Sequence, residues 1–539
     1  MVSWRRCPCP EEGPYVLFDR RSLARCVGLM LSVLLLGGFG MARPLDAHAD
    51  TASDAALRSS EVWAARSVRA TEATVPLGFF TYYSQAGAWV KVGANGWTSG
   101  YLPGELWRLY ALTGDSWFRT HANSRLEPIQ RWDATSTVSD IGIRYFYSCA
   151  ADYDLTGDTH AQAKALNEAA AMATRYDPIV GAVRSRDASG TYPVIVDELM
   201  NVQLLWWASH HGGPTAALRT IAYQHTLNTA RDFVRPDGST YHVVEYDPTT
   251  GYVMDKETAQ GFADDSTWAR GQAWAIHGFA TGYRETQDPA LLVSARRVAD
   301  WYLAHVPSDR VPYWDFEAPD IPDAPRDSAA AAISASGLID LALLDPDPAN
   351  RARYESAARD TLLSLSSAGY FSAGRDPAIL LHGTVNYSSG TSDVGQSYGD
   401  YFYLEALQRL RRLTPADKPL RIAHVKASSG KPAAAVDRSE GTSWTSKGKQ
   451  WIDVDLGHRV TAHAVGAGVR WGADRSATLK FLVSYDRKHW RTVRVARSGG
   501  DWAGVETYSF APSRTRYVRI VVEGTSHNLT NGITMLRVY

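Results

Sequence analysis

The apolar residues in the central part of the chain recur at helical spacing and are interrupted by short polar turns. One apolar face runs over residues 106–112 and ends at the turn 113–115, and a second runs over residues 141–153 and ends at the turn 155–158. In both cases Gly-Asp ends one helical pattern, and another begins directly after it. The pattern extends over residues 76–412 and predicts a mainly α-helical domain of about a dozen helices.

The spacing of these turns predicts a repeated helical hairpin. Gly114 and Gly157 are 43 residues apart, about the length of one hairpin. Ala-rich patterns predict the second helix of a pair over residues 159–175, 289–305 and 348–366. Repeated antiparallel pairs either close into an α/α toroid, with a concave pocket at the inner helix ends, or stack as an open solenoid. The periodicity alone leaves both arrangements open.

After residue 415 the hydrophobic period changes from helical to alternating. Short alternating runs separated by Gly-containing and polar turns are typical of a β-sandwich. They lie at residues 451–456, 479–483, 491–495 and 517–522. We therefore predict a helical catalytic domain over residues 76–412, a linker over 413–419 and an all-β domain over 420–539.

The N-terminal 49 residues have the pattern of an export signal. Arg20, Arg21 and Arg25 precede an apolar run over residues 26–41, and Ala47-His48-Ala49 forms a small-x-small cleavage site before Asp50. The run is short for a bilayer span, so we expect a cleaved signal peptide and no integral membrane span in the mature chain. An uncleaved N-terminal anchor is the alternative. We interpret the Ala-, Ser- and Thr-rich residues 50–75 as a linker.

The charge and the cysteine content exclude several classes of function. The 539 residues carry a formal net charge of −1 with no Lys/Arg block, which argues against a nucleic-acid partner or an anionic membrane surface. Beyond the predicted leader the single cysteine is Cys149, which allows no internal disulfide and no cysteine-based zinc site. It lies in an apolar helical stretch, so we expect it to be buried. The 18 Trp and 27 Tyr suit stacking on sugars.

Two aspartates stand in apolar surroundings where helices are expected to begin. Asp140 lies in Val138-Ser139-Asp140-Ile141-Gly142, and Asp197 ends the apolar run over residues 192–196. Two carboxyl groups that face one pocket raise the pKa of one of them, which suits acid–base chemistry. The alternative for Asp197 is a plain N-cap.

The run over residues 260–274 carries a cation and several aromatic side chains. Arg270 and Trp274 are four residues apart and share one face of a predicted helix, which Asp265 or Ser266 is expected to cap. A buried arginine paired with an aspartate of the run is the alternative to a ligand-binding role. Gly271 favours the ligand-binding role of Arg270, because a glycine is expected to leave space beside the guanidinium group.

These segments, together with residues 97–104, 238–243 and 398–402, resemble glycoside hydrolase family 88, the unsaturated glucuronyl hydrolases, over roughly residues 80–412. The resemblance implies an (α/α)6 barrel. It implies a substrate made by polysaccharide lyases, an oligosaccharide with a 4,5-unsaturated uronic acid at its non-reducing end. It further implies that Asp197 is the general acid/base and Asp140 its partner carboxylate. The substrate contacts that it implies are Trp97, His242, Gln260, Trp268, Arg270 and Trp274.

The reaction implied by the resemblance is hydration of the C4=C5 vinyl ether, which needs no organic cofactor and no metal. One departure is Ser139, because many family members carry His there. Two alternatives remain open. One is an unsaturated rhamnogalacturonyl hydrolase on the same barrel, and the other is a non-catalytic glycan-binding protein, against which the pair Asp140 and Asp197 argues.

The C-terminal domain resembles the coagulation factor 5/8 C-terminal, discoidin-like domain and related carbohydrate-binding modules. The matching pieces are residues 435–444, 451–457, 483–486 and 516–520. The resemblance implies a jelly-roll, galactose-binding-like sandwich with a polysaccharide ligand. Many relatives hold calcium with an acidic residue near the C-terminus, which residues 534–539 lack, so we do not expect calcium. Trp444 and Trp451 are interpreted as core residues.

Overall fold

The computed structural model describes residues 47–131, 140–415 and 417–539. Ser139 and nearly all of the predicted leader lie outside these residues. In the part of the chain that is described, no helix has both the length and the apolar character needed to cross a membrane. Residues 51–539 form one compact unit.

The helices of the described residues alternate between an outer and an inner ring. In chain order they are α1 (Ala47–Thr74), α2 (Tyr101–Thr113), α3 (Ser116–Gln130), α4 (Ile141–Tyr145), α5 (Ala151–Thr156), α6 (Thr159–Ala173), α7 (Glu198–Asn201), α8 (Gln203–His210), α9 (Thr215–Asp232), α10 (Ala269–Thr286), α11 (Pro289–His305), α12 (Ser328–Leu344), α13 (Pro348–Leu365) and α14 (Ser397–Leu410). A π-helical turn, Phe146–Ala150, joins α4 to α5.

Six inner segments form the wall of a closed barrel: α2, α4–α5, α7–α8, α10, α12 and α14. Their residues are almost entirely buried, whereas the outer helices bury one face. The last inner helix, α14, packs against both α12 and α2 and so closes the ring. The predicted (α/α)6 barrel is confirmed, and the open solenoid is excluded.

The Gly-Asp turns explain why inner and outer helices alternate so regularly. Gly114 and Gly157 have φ of 67° and 77°, the left-handed conformation that ends a helix. The next residues, Asp115 and Asp158, then accept hydrogen bonds from the first backbone N–H groups of α3 and α6. One dipeptide therefore ends an inner helix and begins the outer helix that follows.

Of residues 50–75, interpreted above as a linker, all but the last belong to helix α1, which ends at Thr74. Leu57, Ala64 and Val68 are buried, and their spacing of seven and four residues places them on one helical face. The linker prediction was wrong because it relied on the Ala/Ser/Thr-rich composition, although Ala favours helix. The few apolar positions already carried the helical period.

Short antiparallel strands decorate the helical domain. β1 (Phe79–Gln85) pairs with β2 (Ala88–Gly93), and β3 (Tyr176–Asp177) pairs with β4 (Ala182–Val183). A three-stranded sheet consists of β5 (Tyr192–Ile195), β6 (Val243–Tyr246) and β7 (Val253–Glu257). This sheet lies at the start of α7 and positions residues of the site described below.

The C-terminal domain is an antiparallel β-sandwich, as predicted. Its strands are β8 (His424–Ala427), β9 (Trp444–Lys447), β10 (Gln450–Val469), β11 (Ala477–Ser484), β12 (Arg491–Arg497), β13 (Val505–Thr525) and β14 (Thr530–Val538). The long strands β10 and β13 pair along most of their length, with register shifts where both bend. Trp444 is fully buried in the core, whereas Trp451 is only half-buried.

The sandwich packs directly against one end of the barrel. Arg411, just after α14, donates to the carbonyl oxygens of Ala111 and Leu112 at the end of α2, at 3.0 and 2.6 Å. Arg412 pairs with Asp501 of the sandwich at 2.5 Å. A Cβ at Gly114 would lie 2.7 Å from Val495. The sandwich therefore covers the C-terminal ends of the inner helices.

Candidate active site

The sequence-predicted site residues meet at the opposite end of the barrel, where the inner helices begin. Sheet pairing brings the first two together, because Ile195 of β5 lies opposite Val243 of β6. The backbone N–H of Val196 donates to the carbonyl oxygen of His242 at 3.0 Å. The next side chain, Asp197, therefore has its Oδ2 3.7 Å from His242 Nε2.

Asp197 and Asp140 precede helices, yet neither side chain caps one. Asp140 stands before α4 and Asp197 before α7, and neither makes a capping hydrogen bond. Aspartates at the same position of other helices do cap, as Asp115, Asp158, Asp288, Asp327 and Asp347 show. The plain N-cap interpretation of Asp197 is therefore wrong, and neither carboxyl group serves as a helix cap.

The pKa of Asp197 is raised to about 7. Burial is the main cause because it penalises the charged form, and the neighbouring Asp140 carboxylate raises the pKa further, while the Arg270 guanidinium opposes both. Among the described residues Oδ2 of Asp197 has no hydrogen-bond partner, although it is buried. A buried carboxyl group that is half protonated near neutral pH is suited to proton transfer.

Asp140 is held in an unusual backbone conformation by Asn201. Its φ of 58° lies in the left-handed region. The Asn201 amide donates to Asp140 Oδ1 at 3.2 Å, and the amide oxygen accepts the backbone N–H of Ile143 at 2.9 Å. A Cβ at Gly142 would lie 1.9 Å from the Asn201 carbonyl oxygen, so only glycine allows α4 and α7 to approach this closely. Asn201 fixes Asp140 relative to α7.

His242 is a neutral donor beside Asp197. Burial, together with the nearby Arg270 charge, lowers its pKa to about 3. Its Nδ1 accepts the backbone N–H of Ala259 at 3.1 Å, which assigns the ring proton to Nε2, on the Asp197 side. The ring stacks on Trp268 at 4.3 Å between centroids.

Arg270 is a buried cation with partners other than those predicted. It pairs with Asp327 at 2.5 Å, rather than with Asp264 or Asp265. It also donates to the carbonyl oxygens of Thr384 and Val385, at 2.6 and 2.8 Å. Because Asp327 caps α12, the pair joins two inner helices and the 384–385 loop. Whether Arg270 also contacts substrate stays a prediction.

Gln260 acts on the same loop, because its Nε2 donates to the carbonyl oxygen of Val385 at 2.8 Å. Gly271 does not open space beside the cation as expected, since a Cβ there would lie 3.0 Å from the Trp268 ring. The predicted N-caps are also wrong. Helix α10 begins at Ala269 with no side-chain cap, and Ser266 instead donates to Asp315 at 2.7 Å.

The aromatic side chains form the wall and the floor of the site. Trp97 is half-buried, with Tyr398 5.2 Å from it between centroids. Trp274 is only 1% exposed, so its ring faces are not free to stack on a sugar. Its indole N–H is one of the groups that favour the ionised form of Asp197. Trp274 therefore belongs to the floor beneath Asp197.

Three residues of the site were missed by the sequence predictions. Tyr398 lies 5.2 Å below the Arg270 guanidinium, Asn201 holds Asp140, and Asp327 holds Arg270. The sequence could have indicated Tyr398, since it is the first residue of the segment 398–402, which resembles the family. Asn201 and Asp327 act through contacts 61 and 57 residues away in the chain, which spacing does not reveal.

The arrangement brings an acid, a partner carboxylate and a neutral donor together in one cluster. No group of three or more His, Cys, Asp or Glu within residues 47–131, 140–415 and 417–539 is arranged to hold a metal ion. In the sandwich, Asp437 accepts from the Ser439 N–H and the Thr442 hydroxyl, which engages both carboxylate oxygens within its own turn.

Comparison with known proteins gives matches to both domains. The F5/8 type C domain family model matches residues 422–537. An unsaturated glucuronyl hydrolase of Formosa agariphila is 38% identical over 332 residues, 60% of this chain and 82% of that protein. An unsaturated chondroitin disaccharide hydrolase of Streptococcus pyogenes is 34% identical over 325 residues, 58% of this chain and 80% of the relative. A crystal structure of an unsaturated glucuronyl hydrolase specific for heparin aligns with a TM-score of 0.63 and 32% identity, over 66% of this chain and 97% of that structure.

Proposed function

Because this chain belongs to glycoside hydrolase family 88, the unsaturated glucuronyl hydrolases, we propose that it removes a 4,5-unsaturated uronic acid from the non-reducing end of lyase-generated oligosaccharides. The observation that carries the mechanism is Asp197, a buried carboxyl group with a pKa of about 7 and an oxygen without a partner. A non-catalytic glycan-binding protein has no use for a carboxyl group in this state.

In the proposed reaction, protonated Asp197 donates its proton to C4 of the unsaturated uronate while positive charge develops at C5. A water molecule then adds to C5, and the Asp197 carboxylate takes up the proton that this water loses. The product is a hemiketal at C5. It opens by cleavage of the C5–O5 ring bond, which gives a ketone at C5 and a hemiacetal at C1. The hemiacetal then releases the remaining saccharide as an alcohol and leaves an aldehyde at C1. The same carboxyl group is thus acid and then base.

The neighbours of Asp197 have separate roles in this scheme. The Asp140 carboxylate keeps the Asp197 proton in place near neutral pH, since a like charge disfavours ionisation. Neutral His242 offers its Nε2–H to the substrate or to the attacking water. Trp97 and Tyr398 bound the space where the sugar lies, and Arg270 with Gln260 holds the 384–385 loop beside it.

Turnover in heavy water tests where the proton goes. We expect deuterium at C4 of the released keto sugar, read by NMR, because Asp197 exchanges its proton with solvent before each transfer. A conventional glycosidase instead protonates the bridging oxygen and uses two carboxyl groups across the anomeric carbon. The matched control is the saturated disaccharide, which we expect to remain intact. Its cleavage, or a product without deuterium at C4, would disprove the proposed reaction.

We propose that the substrates derive from glycosaminoglycans, because relatives of this chain are named for chondroitin disaccharide and heparin. An unsaturated rhamnogalacturonyl hydrolase on the same barrel remains the second candidate. Loss of the ultraviolet absorbance of the double bond is measured on lyase digests of chondroitin, hyaluronan, heparin and rhamnogalacturonan. Faster turnover of the rhamnogalacturonan digest would favour the second candidate.

We also propose that the enzyme acts outside the cytoplasm, in the extracellular space or the periplasm. The support is the Arg-rich start, the apolar run over residues 26–41 and the Ala47-His48-Ala49 cleavage site. N-terminal sequencing of the protein recovered from culture medium or periplasm is expected to begin at Asp50. Recovery of the uncleaved chain with the membrane fraction would favour the anchor.

A further inference from the structure

The near-zero net charge of the chain conceals a strong separation of charge. Residues 420–539 hold 19 Lys and Arg against 9 Asp and Glu, a formal charge of +10. Residues 51–419 hold 31 Lys and Arg against 43 Asp and Glu, a formal charge of −12. The basic sandwich is therefore joined to an acidic barrel. A polyanion is attracted to the first and repelled by the second.

Part of the basic charge lies on one outward face of the sandwich. Leu482 of β11 lies opposite Arg519 of β13, which lies opposite Asp453 of β10, which lies opposite Lys426 of β8. Directly opposite residues of antiparallel strands point to the same side of a sheet. On β11, Lys480 is two residues from Leu482 and points to this side as well.

Aromatic rings hold the arginines of this face in place. The Arg519 guanidinium lies 4.1 Å from both the Trp451 and the Trp490 ring centroids. Arg516 and Arg487 lie 5.0 and 5.7 Å from the Tyr517 ring centroid. Such contacts fix guanidinium groups without neutralising them.

Two carboxylates of strand β10 form ion pairs with the same arginines. Asp453 accepts from Arg519 at 2.6 Å and from Arg487 at 3.1 Å, and Asp455 accepts from Arg516 at 2.9 Å. Lys426, Lys480 and Lys488 are exposed. The basic face, defined by the positive residues Lys426, Lys480, Arg487, Lys488, Arg516 and Arg519, therefore retains a net positive charge.

The end of the basic face that carries Arg487, Lys488 and Arg516 lies away from the barrel, whereas Lys480 lies opposite Val495, which packs on the barrel at Gly114. Strand β11 begins beside the barrel, where the Ser476 hydroxyl donates to the Leu155 carbonyl oxygen at 2.9 Å. Eight residues later, Ser484 lies about 26 Å from that contact. It pairs with Tyr517, and Asp455 is the next residue across the sheet. Tyr485, Lys488 and His489, which follow Ser484 at this end of the strands, are exposed.

We propose that the basic face binds a long anionic polysaccharide, the parent polymer of the oligosaccharides that the barrel consumes. The identity of the ligand rests on the proposed function, and its charge rests on the sandwich itself. A polyuronate presents carboxylates at regular intervals and sugar faces between them. These groups match guanidinium and ammonium groups that alternate with Trp451, Trp490 and Tyr517.

The test compares the retention of full-length variants on immobilised polymers. Lys426→Gln/Lys480→Gln/Lys488→Gln removes three exposed charges of the basic face. Lys431→Gln/Arg438→Gln/Lys447→Gln removes three exposed charges of the same domain outside it. Hyaluronan offers carboxylates alone, chondroitin sulfate offers carboxylates and sulfates, dextran sulfate offers sulfates alone, and neutral dextran is the blank. Thermal unfolding of each variant verifies the fold.

We expect the first variant to bind hyaluronan or chondroitin sulfate about tenfold more weakly than wild type at low salt, and the second to bind within about twofold. Binding to hyaluronan would show that the basic face recognises carboxylates. Binding only to the sulfated polymers would show that its ligand is a sulfated polysaccharide. Equal retention of both variants, or binding only to phosphatidylserine vesicles or single-stranded DNA, would overturn the proposal. Disaccharide turnover by the wild-type chain is measured separately, so a failure of the proposed function is distinguishable.

Discussion

At the scale of single residues, the site depends on a carboxyl group that is costly to bury. The raised pKa of Asp197 means that the folded state binds its proton more tightly than the unfolded state does. Its contribution to stability is therefore full below the ordinary Asp pKa and is lost as the pH rises through about 7. Activity has the same limit, because the ionised form has no proton to donate.

Asp197→Asn is expected to lower turnover by about 10³-fold or more and to raise stability at alkaline pH. At pH 8 the variant no longer buries an anion, and the gain in unfolding free energy is at most about 4 kcal/mol. Thermal melts at pH 5 and pH 8 measure it, and the gain should be clearly larger at pH 8 than at pH 5, because the difference grows as the pH rises from the ordinary Asp pKa to about 7.

Asp152→Asn is the matched control, since burial raises the pKa of Asp152 to about 7 as well, far from the site. It should show the same stabilisation with turnover unchanged. Full activity of Asp197→Asn would remove that residue from the reaction.

Asp140→Asn separates the partner carboxylate from the acid. We expect turnover to fall by about 100-fold or more, with the remaining activity lost at lower pH than in wild type, because Asp140 helps to keep Asp197 protonated. The pH dependence of kcat measures the shift. If kcat of the variant falls at the same alkaline pH as kcat of wild type, Asp140 acts on the substrate rather than through Asp197.

At the scale of elements, the close approach of α4 to α7 sets the geometry of the two aspartates. Gly142 permits it, and Asn201 bridges the helices.

We expect Gly142→Ala to cost about 3 kcal/mol of stability and most of the activity, because the new methyl group would overlap backbone. Gly369→Ala, where a Cβ meets nothing closer than 3.6 Å, is the control. Denaturation midpoints and kcat of the two variants should differ clearly; equal values would mean that α7 shifts at no cost.

The sequence predicted those elements whose apolar positions repeat and missed those that form through distant pairing. The helix turns at Gly114 and Gly157 were readable because each dipeptide acts locally. The pairing of β5 with β6 joins segments about 50 residues apart, so the contact between Asp197 and His242 could not be read from local pattern. Family resemblance supplied that pair, but it gave no sign that Trp274 would be buried, because that burial depends on the packing of the whole ring.

At the scale of the whole molecule, two buried arginines join the barrel to the sandwich. Arg412 is 5% exposed and pairs with Asp501, and Arg411 reaches the end of α2. We expect calorimetry to show one unfolding transition for both domains. Arg412→Ala should destabilise that transition by about 1–3 kcal/mol. Arg421→Ala, at an exposed position, serves as the control. Two separate transitions would show that the domains unfold independently.

The sandwich and the mouth of the barrel lie at opposite ends of the inner helices, about 20 Å apart along the 13 residues of α2. An enzyme held on a fixed polymer through its sandwich would therefore turn its mouth toward the surrounding fluid. It would not move processively along the polysaccharide chain to which it is bound. It would instead bind short oligosaccharides that reach it by diffusion. The amount of product formed on a solid matrix would then depend on two rates. These are the rate at which lyases release oligosaccharides from the polymer and the rate at which flow removes those oligosaccharides.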